Sequence, residues 1–228
     1  MMRHRLRRVR RRWIVVLAAA AVGAFTAVGF AATLTVHSWD LWAGQQALTV
    51  GVCTITGNND AGTMTDTYVN QASPSTNYYS STTLPVKPTS GSQEWVYIWF
   101  NLSTCNIPAT GAADSATITL TASGVPSPTR ILTVQPMSSS ETNSSATWNN
   151  VQSVTYGTPT ETFVTPSSAG GTALIFAAGN VDAAIKGGNF WGWRISDGGS
   201  TSASDTTTFV SSNGASGSRP TLTIIYGY

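Results

Sequence analysis

Few of the 228 residues have side chains suited to covalent chemistry, and they are badly placed for it. The two histidines are His4 and His37, both ahead of residue 64. A Ser-His-Asp or Cys-His relay needs an imidazole as its base, so residues 64–228 cannot form one. Glycoside hydrolysis needs two carboxylates flanking the scissile bond, about 5–9 Å apart. Asp66, Glu94, Asp114, Glu141, Glu161, Asp182, Asp197 and Asp205 are scattered, with no pair at a telling spacing. The sequence reads as non-catalytic. Cys53 and Cys105 are the only cysteines, with no CxxC and no His/Cys cluster, so zinc and redox motifs are missing. In an exported protein two such thiols most simply form one disulfide.

Binding chemistry is better represented. In Gln93–Asn101, Trp95, Tyr97 and Trp99 alternate with Val96, Ile98 and Phe100. A strand places these triplets on opposite faces. The aliphatic-plus-Phe face is the better core former. The Trp95/Tyr97/Trp99 face is then either a second core layer or a platform on which sugar rings stack. Trp191 and Trp193 alternate with Phe190 and Gly192, which predicts two indoles on one face, at least one of them exposed. Trp148 is either a further stacking residue or a structural plug. Lys87, Arg130 and Lys186 are the cations available to meet acidic sugars.

These residues must be positioned by strands. Short β-like runs occur at Asp66–Gln71, Thr83–Lys87, Gln93–Asn101, Ala116–Ser123, Arg130–Pro136, Glu161–Thr165, Ala173–Ala177, Phe190–Ser196, Thr206–Ser211 and Thr221–Tyr226, separated by Gly, Pro, Ser and Asn. Only Val181–Lys186 looks helical. This spacing predicts an all-β sandwich. Residues 33–63 contain another β-like run, Ala47–Ile55, read as an added strand or a spacer. Charged residues make up only 10% of the chain, and its formal charge of +2 is misleading. Seven of the 12 basic residues are arginines before residue 13, leaving five against ten acidic ones. Nucleic-acid binding is therefore not expected. The arginines precede an uncharged run, Trp13–Ala32, so residues 1–32 read as a secretory signal or an uncleaved membrane-anchor helix. Either way the remainder is exported, and the membrane is met only through this segment.

Four stretches in order resemble the DNRLRE-domain family of extracellular jelly-roll modules. They are Asp66–Gln71 with Ser75, Asn77 and Leu84; Val96–Leu102 with Ile107-Pro108 and Ala116–Leu120; Glu141 with Ala146–Asn150; and Thr208–Ser212 with Arg219–Tyr226. Tyr79 stands where the family usually has glycine, and serines replace the tryptophan that commonly precedes Glu141. The resemblance covers residues 64–228. It implies a jelly-roll β-sandwich, a structural role for Arg219, and non-catalytic binding of a polysaccharide or cell-wall glycan. The alternative is a structural or adhesive cell-surface protein that self-associates. Jelly-roll modules of this kind often carry a structural calcium. Asp66, Asn70 and Asn77, or Asp197 and Asp205, offer oxygen ligands for one; the same side chains also suit turn capping.

Overall fold

In a computed structural model the chain is described over residues 49–58, 62–108, 110–139, 143–158, 160–176, 181–182, 191–198 and 205–228. The expected signal or anchor segment, Glu141, Lys186 and most of the helical run at 181–186 lie outside these residues. Two antiparallel sheets are stacked face to face. One contains β1 (Val50–Thr56), β3 (Thr83–Val86), β5 (Ala112–Gly124), β8 (Thr172–Phe176), β10 (Thr207–Val210) and β11 (Thr221–Gly227). Its order is β1-β11-β5-β10-β3, with β8 also paired to β5. The other contains β2 (Met64–Asn70), β4 (Glu94–Phe100), β6 (Ile131–Pro136), β7 (Glu161–Val164) and β9 (Trp193–Ser196), ordered β2-β4-β9-β6-β7. All ten expected strands are present, and the leader run supplies β1.

Side-chain alternation decides what enters the core. β5 sends Ala116, Ile118, Leu120 and Ala122 inward and Thr117, Thr119 and Thr121 outward. β4 sends Val96, Ile98 and Phe100 inward, where they meet Leu132, Ile195, Phe209 and Leu222. Burying each such side chain contributes about 1.5–3 kcal/mol, so this layer dominates the stability of the sandwich.

Polar side chains close its ends. Asp66, fully buried on β2, accepts from the Ser212 backbone N–H at 2.7 Å and the Ser212 hydroxyl at 3.3 Å. This holds the loop after β10 against the second sheet. Asn213 donates to the Tyr79 carbonyl, and Arg219 Nε donates to the Gly214 carbonyl at 3.0 Å. The polar residues of the closing motif thus organise one loop.

β1 pairs with β11 along its whole length, from Val50–Gly227 to Thr56–Thr221. Cys53 on β1 is bonded to Cys105, in the single 3-10 turn Leu102–Cys105 that follows β4. Their Cα atoms lie 5.6 Å apart and their positions 52 residues apart. Closing such a loop restricts the unfolded chain by roughly 4 kcal/mol. Cys53→Ser with Cys105→Ser should therefore lower the unfolding free energy by about that amount, measured by urea denaturation. An unchanged midpoint would show that the bond does not stabilise the fold.

Candidate functional site

β4 is apolar on both faces, so its outer face needs its own cover. Residues 137–139 and 143–157 provide it. Met137, Ala146, Val151 and Val154 bury themselves against Val69 and Tyr97, with Trp95, Trp148, Tyr156 and Trp191 packed around them. Hydrogen bonds pin this cover because it lacks strand pairing of its own over most of its length. Asn77 Nδ2 donates to the carbonyls of Asn143 (3.2 Å) and Ala146 (2.7 Å), while its Oδ1 accepts from the Tyr79 N–H. Asn143 Nδ2 donates to the Thr65 carbonyl at 3.0 Å. Asn150 Oδ1 accepts from the Thr147 N–H at 2.7 Å, and Asn150 Nδ2 donates to the Ser145 carbonyl, bracing the turn that presents Trp148.

The outer face divides the expected aromatic residues. Tyr97 is fully buried and cannot serve as a platform; its hydroxyl bonds that of Tyr156 at 2.8 Å. Trp95, on one side of it, and Trp99, on the other, are half-buried. Trp95 packs on Trp148 with ring centroids 4.4 Å apart at 42°. The expected pairing of Trp191 and Trp193 on one face fails. Trp193 is buried between the sheets, edge-on to Phe100. Trp191 is half-buried against the outer cluster. Gly192 between them explains the split. Its φ of +88° interrupts the strand alternation, and a Cβ there would lie 2.2 Å from the Ile98 carbonyl oxygen.

Arg194 is the residue that sequence reading missed. It faces outward between Trp193 and Ile195, both in the inner core. Its guanidinium carbon sits 3.9 Å from the Tyr156 ring centroid and 4.6 Å from that of Trp95. One Nη donates to Gln135 Oε1. Its Nε is buried without an acceptor, and no carboxylate pairs with it among the described residues. Cation–π contacts of this kind contribute about 0.5–2 kcal/mol each. The signal available was positional: an arginine between two core-facing residues of a strand must point outward.

The other proposed cations lie elsewhere. Arg130 is engaged by Asp197 through two 3.0 Å hydrogen bonds, with Asp205 3.9 Å away. It ties the start of β6 to the segments after β9 and before β10. Lys87 pairs through its backbone with Glu94, and its charge pulls down the Glu94 carboxyl that burial pushes up. Glu94 also accepts from Asn70 Nδ2 at 2.8 Å. Nearby, Tyr68 stacks on Tyr78 at 4.1 Å, and burial, reinforced by Tyr78 and Glu94, pushes its hydroxyl up to about 12.

The calcium candidates are engaged by protein groups, Asp197 and Asp205 together at Arg130. Asp66 serves Ser212, Asn70 bonds Glu94 and caps the Ala72 N–H, Asn77 spans two loops, and Asp197 chelates Arg130. Among the described residues no cluster of three His, Cys, Asp or Glu side chains is suited to a metal ion.

A family model described as "Carbohydrate-binding module family 96" matches residues 60–226. No curated protein matches the chain.

Gly192→Ala should destabilise the domain by at least about 1–3 kcal/mol from the backbone conformation alone, with the Ile98 clash added. Thermal unfolding should show a large drop; an unchanged Tm would overturn this account of the Trp191/Trp193 split. Glu94 offers a test through pH. A carboxyl whose folded pKa is raised favours folding in its protonated form, so its ionisation costs stability above the unfolded carboxylate pKa of about 4.3. Glu94→Gln should raise Tm at pH 7, and the gain should vanish as pH falls below about 4. A gain independent of pH would point to a cause other than ionisation.

Proposed function

The chain belongs to carbohydrate-binding module family 96, and we propose that it binds a polysaccharide on the outer face of the β2-β4-β9-β6-β7 sheet. The reading rests on one observation: half-buried Trp95, Trp148, Tyr156 and Trp191 gather around a guanidinium that has no carboxylate partner among the described residues. Sugar C–H faces pack on indole faces, and the remaining guanidinium N–H groups donate to ring or hydroxyl oxygens. Trp95 and Trp99 are four residues apart on one strand, about 13 Å, a length suited to an oligosaccharide rather than one ring. The burial of Tyr97 between them separates two stacking positions.

Binding without turnover fits the missing histidine and scattered carboxylates of residues 64–228. The order of motifs that resembles the DNRLRE-domain family supports the same reading, as does an arginine-rich, apolar N-terminus that would deliver the domain outside the cell. A glycan array with the purified protein identifies the ligand. On that ligand, Trp95→Ala and Arg194→Met should each weaken binding about tenfold, equivalent to 1.4 kcal/mol, in variants whose Tm shows them folded. Binding that survives both changes would place the site elsewhere.

A further inference from the structure

Away from the glycan site, the end of β4 links the end strands of the two sheets, β2 of one and β3 of the other. Asn70, the last residue of β2, stands opposite Glu94, the first of β4. Lys87, just past β3, pairs with Glu94 from the other side through backbone hydrogen bonds of 3.0 and 3.1 Å. Directly opposed residues of an antiparallel pair share a face, with Cα atoms about 4.5–5.5 Å apart. Asn70, Glu94 and Lys87 therefore form one short row: an amide, a carboxyl and an amine, all half-buried. The row runs from one sheet to the other.

Each group in it is placed for one chemical role. Asn70 Nδ2 donates to Glu94 Oε1 at 2.8 Å, and Asn70 Oδ1 accepts from the Ala72 N–H at 2.8 Å. The amide is thus held at both ends, and its oxygen already faces a backbone donor. Such a donor stabilises the charge that develops on oxygen when the carbonyl carbon is attacked. Burial pushes the Glu94 carboxyl up, which suits it to take and return a proton. Among the described residues no carboxylate forms an ion pair with Lys87. An amine becomes a nucleophile once a neighbouring base removes its proton. Tyr68, stacked on Tyr78, is near enough to feel the Glu94 charge, so the row has an aromatic flank.

We propose that Lys87 and Asn70 become joined by an intramolecular amide bond, formed by the chain itself with Glu94 as proton carrier and independently of glycan binding. Lys87 Nζ passes a proton to Glu94 and attacks Asn70 Cγ. Glu94 hands that proton to Nδ2 and takes a second from Nζ. The Cγ–Nδ2 bond breaks, and ammonia leaves with the bonding pair, collecting the second proton as ammonium. One C–N bond replaces another, so no oxidant or reductant is consumed. The product fastens β3 to β2, and so one sheet to the other. Since such a bond itself raises Tm, the ionisation of Glu94 is compared across pH with Lys87→Arg in both proteins.

The test is the mass of the full-length protein after reduction and denaturation. Allowing for the substitution, the wild type should be lighter than Lys87→Arg by one ammonia, about 17 Da. Asn70→Ala and Glu94→Ala should show no such deficit, and fragmentation of the wild type should link Lys87 to Asn70. A wild type of full mass overturns the proposal. So does a deficit that persists in Lys87→Arg, which would mark a loss of ammonia elsewhere, such as a succinimide. A deficit retained by Glu94→Ala overturns the part given to Glu94. Where a variant fails to fold, the wild-type fragments decide alone: a Lys87–Asn70 linked peptide supports the bond, and two separate unmodified peptides overturn it.

Discussion

The arrangement of the five-stranded sheet and its cover follows from a strand that is apolar on both sides. Val96, Ile98 and Phe100 need the second sheet, and Trp95, Tyr97 and Trp99 need something else. A two-layer sandwich has only one interior. The chain answers with a third layer made of a loop-like segment rather than a sheet. That segment buries Tyr97 and leaves the flanking indoles half open. The site is thus a partly covered core face, and its shape depends on where the cover stops.

A cover without continuous strand pairing needs other fixings. Asparagine suits this task because its amide both donates and accepts. Asn77, Asn143 and Asn150 hold the segment to β2, to the loop after β2 and to itself. Arg194 does the corresponding work with charge. Stacked between Tyr156 and Trp95, it joins the cover to β9 and β4 through ring faces. These fixings are all polar or cation–π contacts laid over an apolar patch, so orientation comes from them and adhesion from the patch.

Most of the architecture was legible because strands announce themselves by alternation. The ten expected strands, the inward face of β4 and the Cys53–Cys105 pairing were all readable from residue type and spacing, the pairing together with the expectation of export. Periodicity failed where the backbone departs from it. Phe190–Ser196 looked like a single strand, but Gly192 adopts a left-handed φ and sends Trp191 and Trp193 to different layers. Arg130, Asp197 and Asp205 looked like separate ligand candidates, since nothing in a linear sequence shows that 67 residues fold into a 3.0 Å contact. Arg194 carries no motif of its own in the sequence, and only the inward direction of Trp193 and Ile195 fixes it outward.

The disulfide has a mechanical consequence. The first residues of the described fold pair with the last: Thr49 and Tyr228 exchange backbone hydrogen bonds, and β1 lies wholly along β11. A pull between residue 49 and a polymer gripped at β4 would first load that ladder in shear, then unzip β1 from the sandwich. Cys53 interrupts this sequence after four residues. Beyond it, tension passes through the sulfur pair into the turn at Leu102–Cys105 and directly to β4. β4 is thereby tethered covalently to the entry of the described fold, and the rest of the sandwich would be spared such a force.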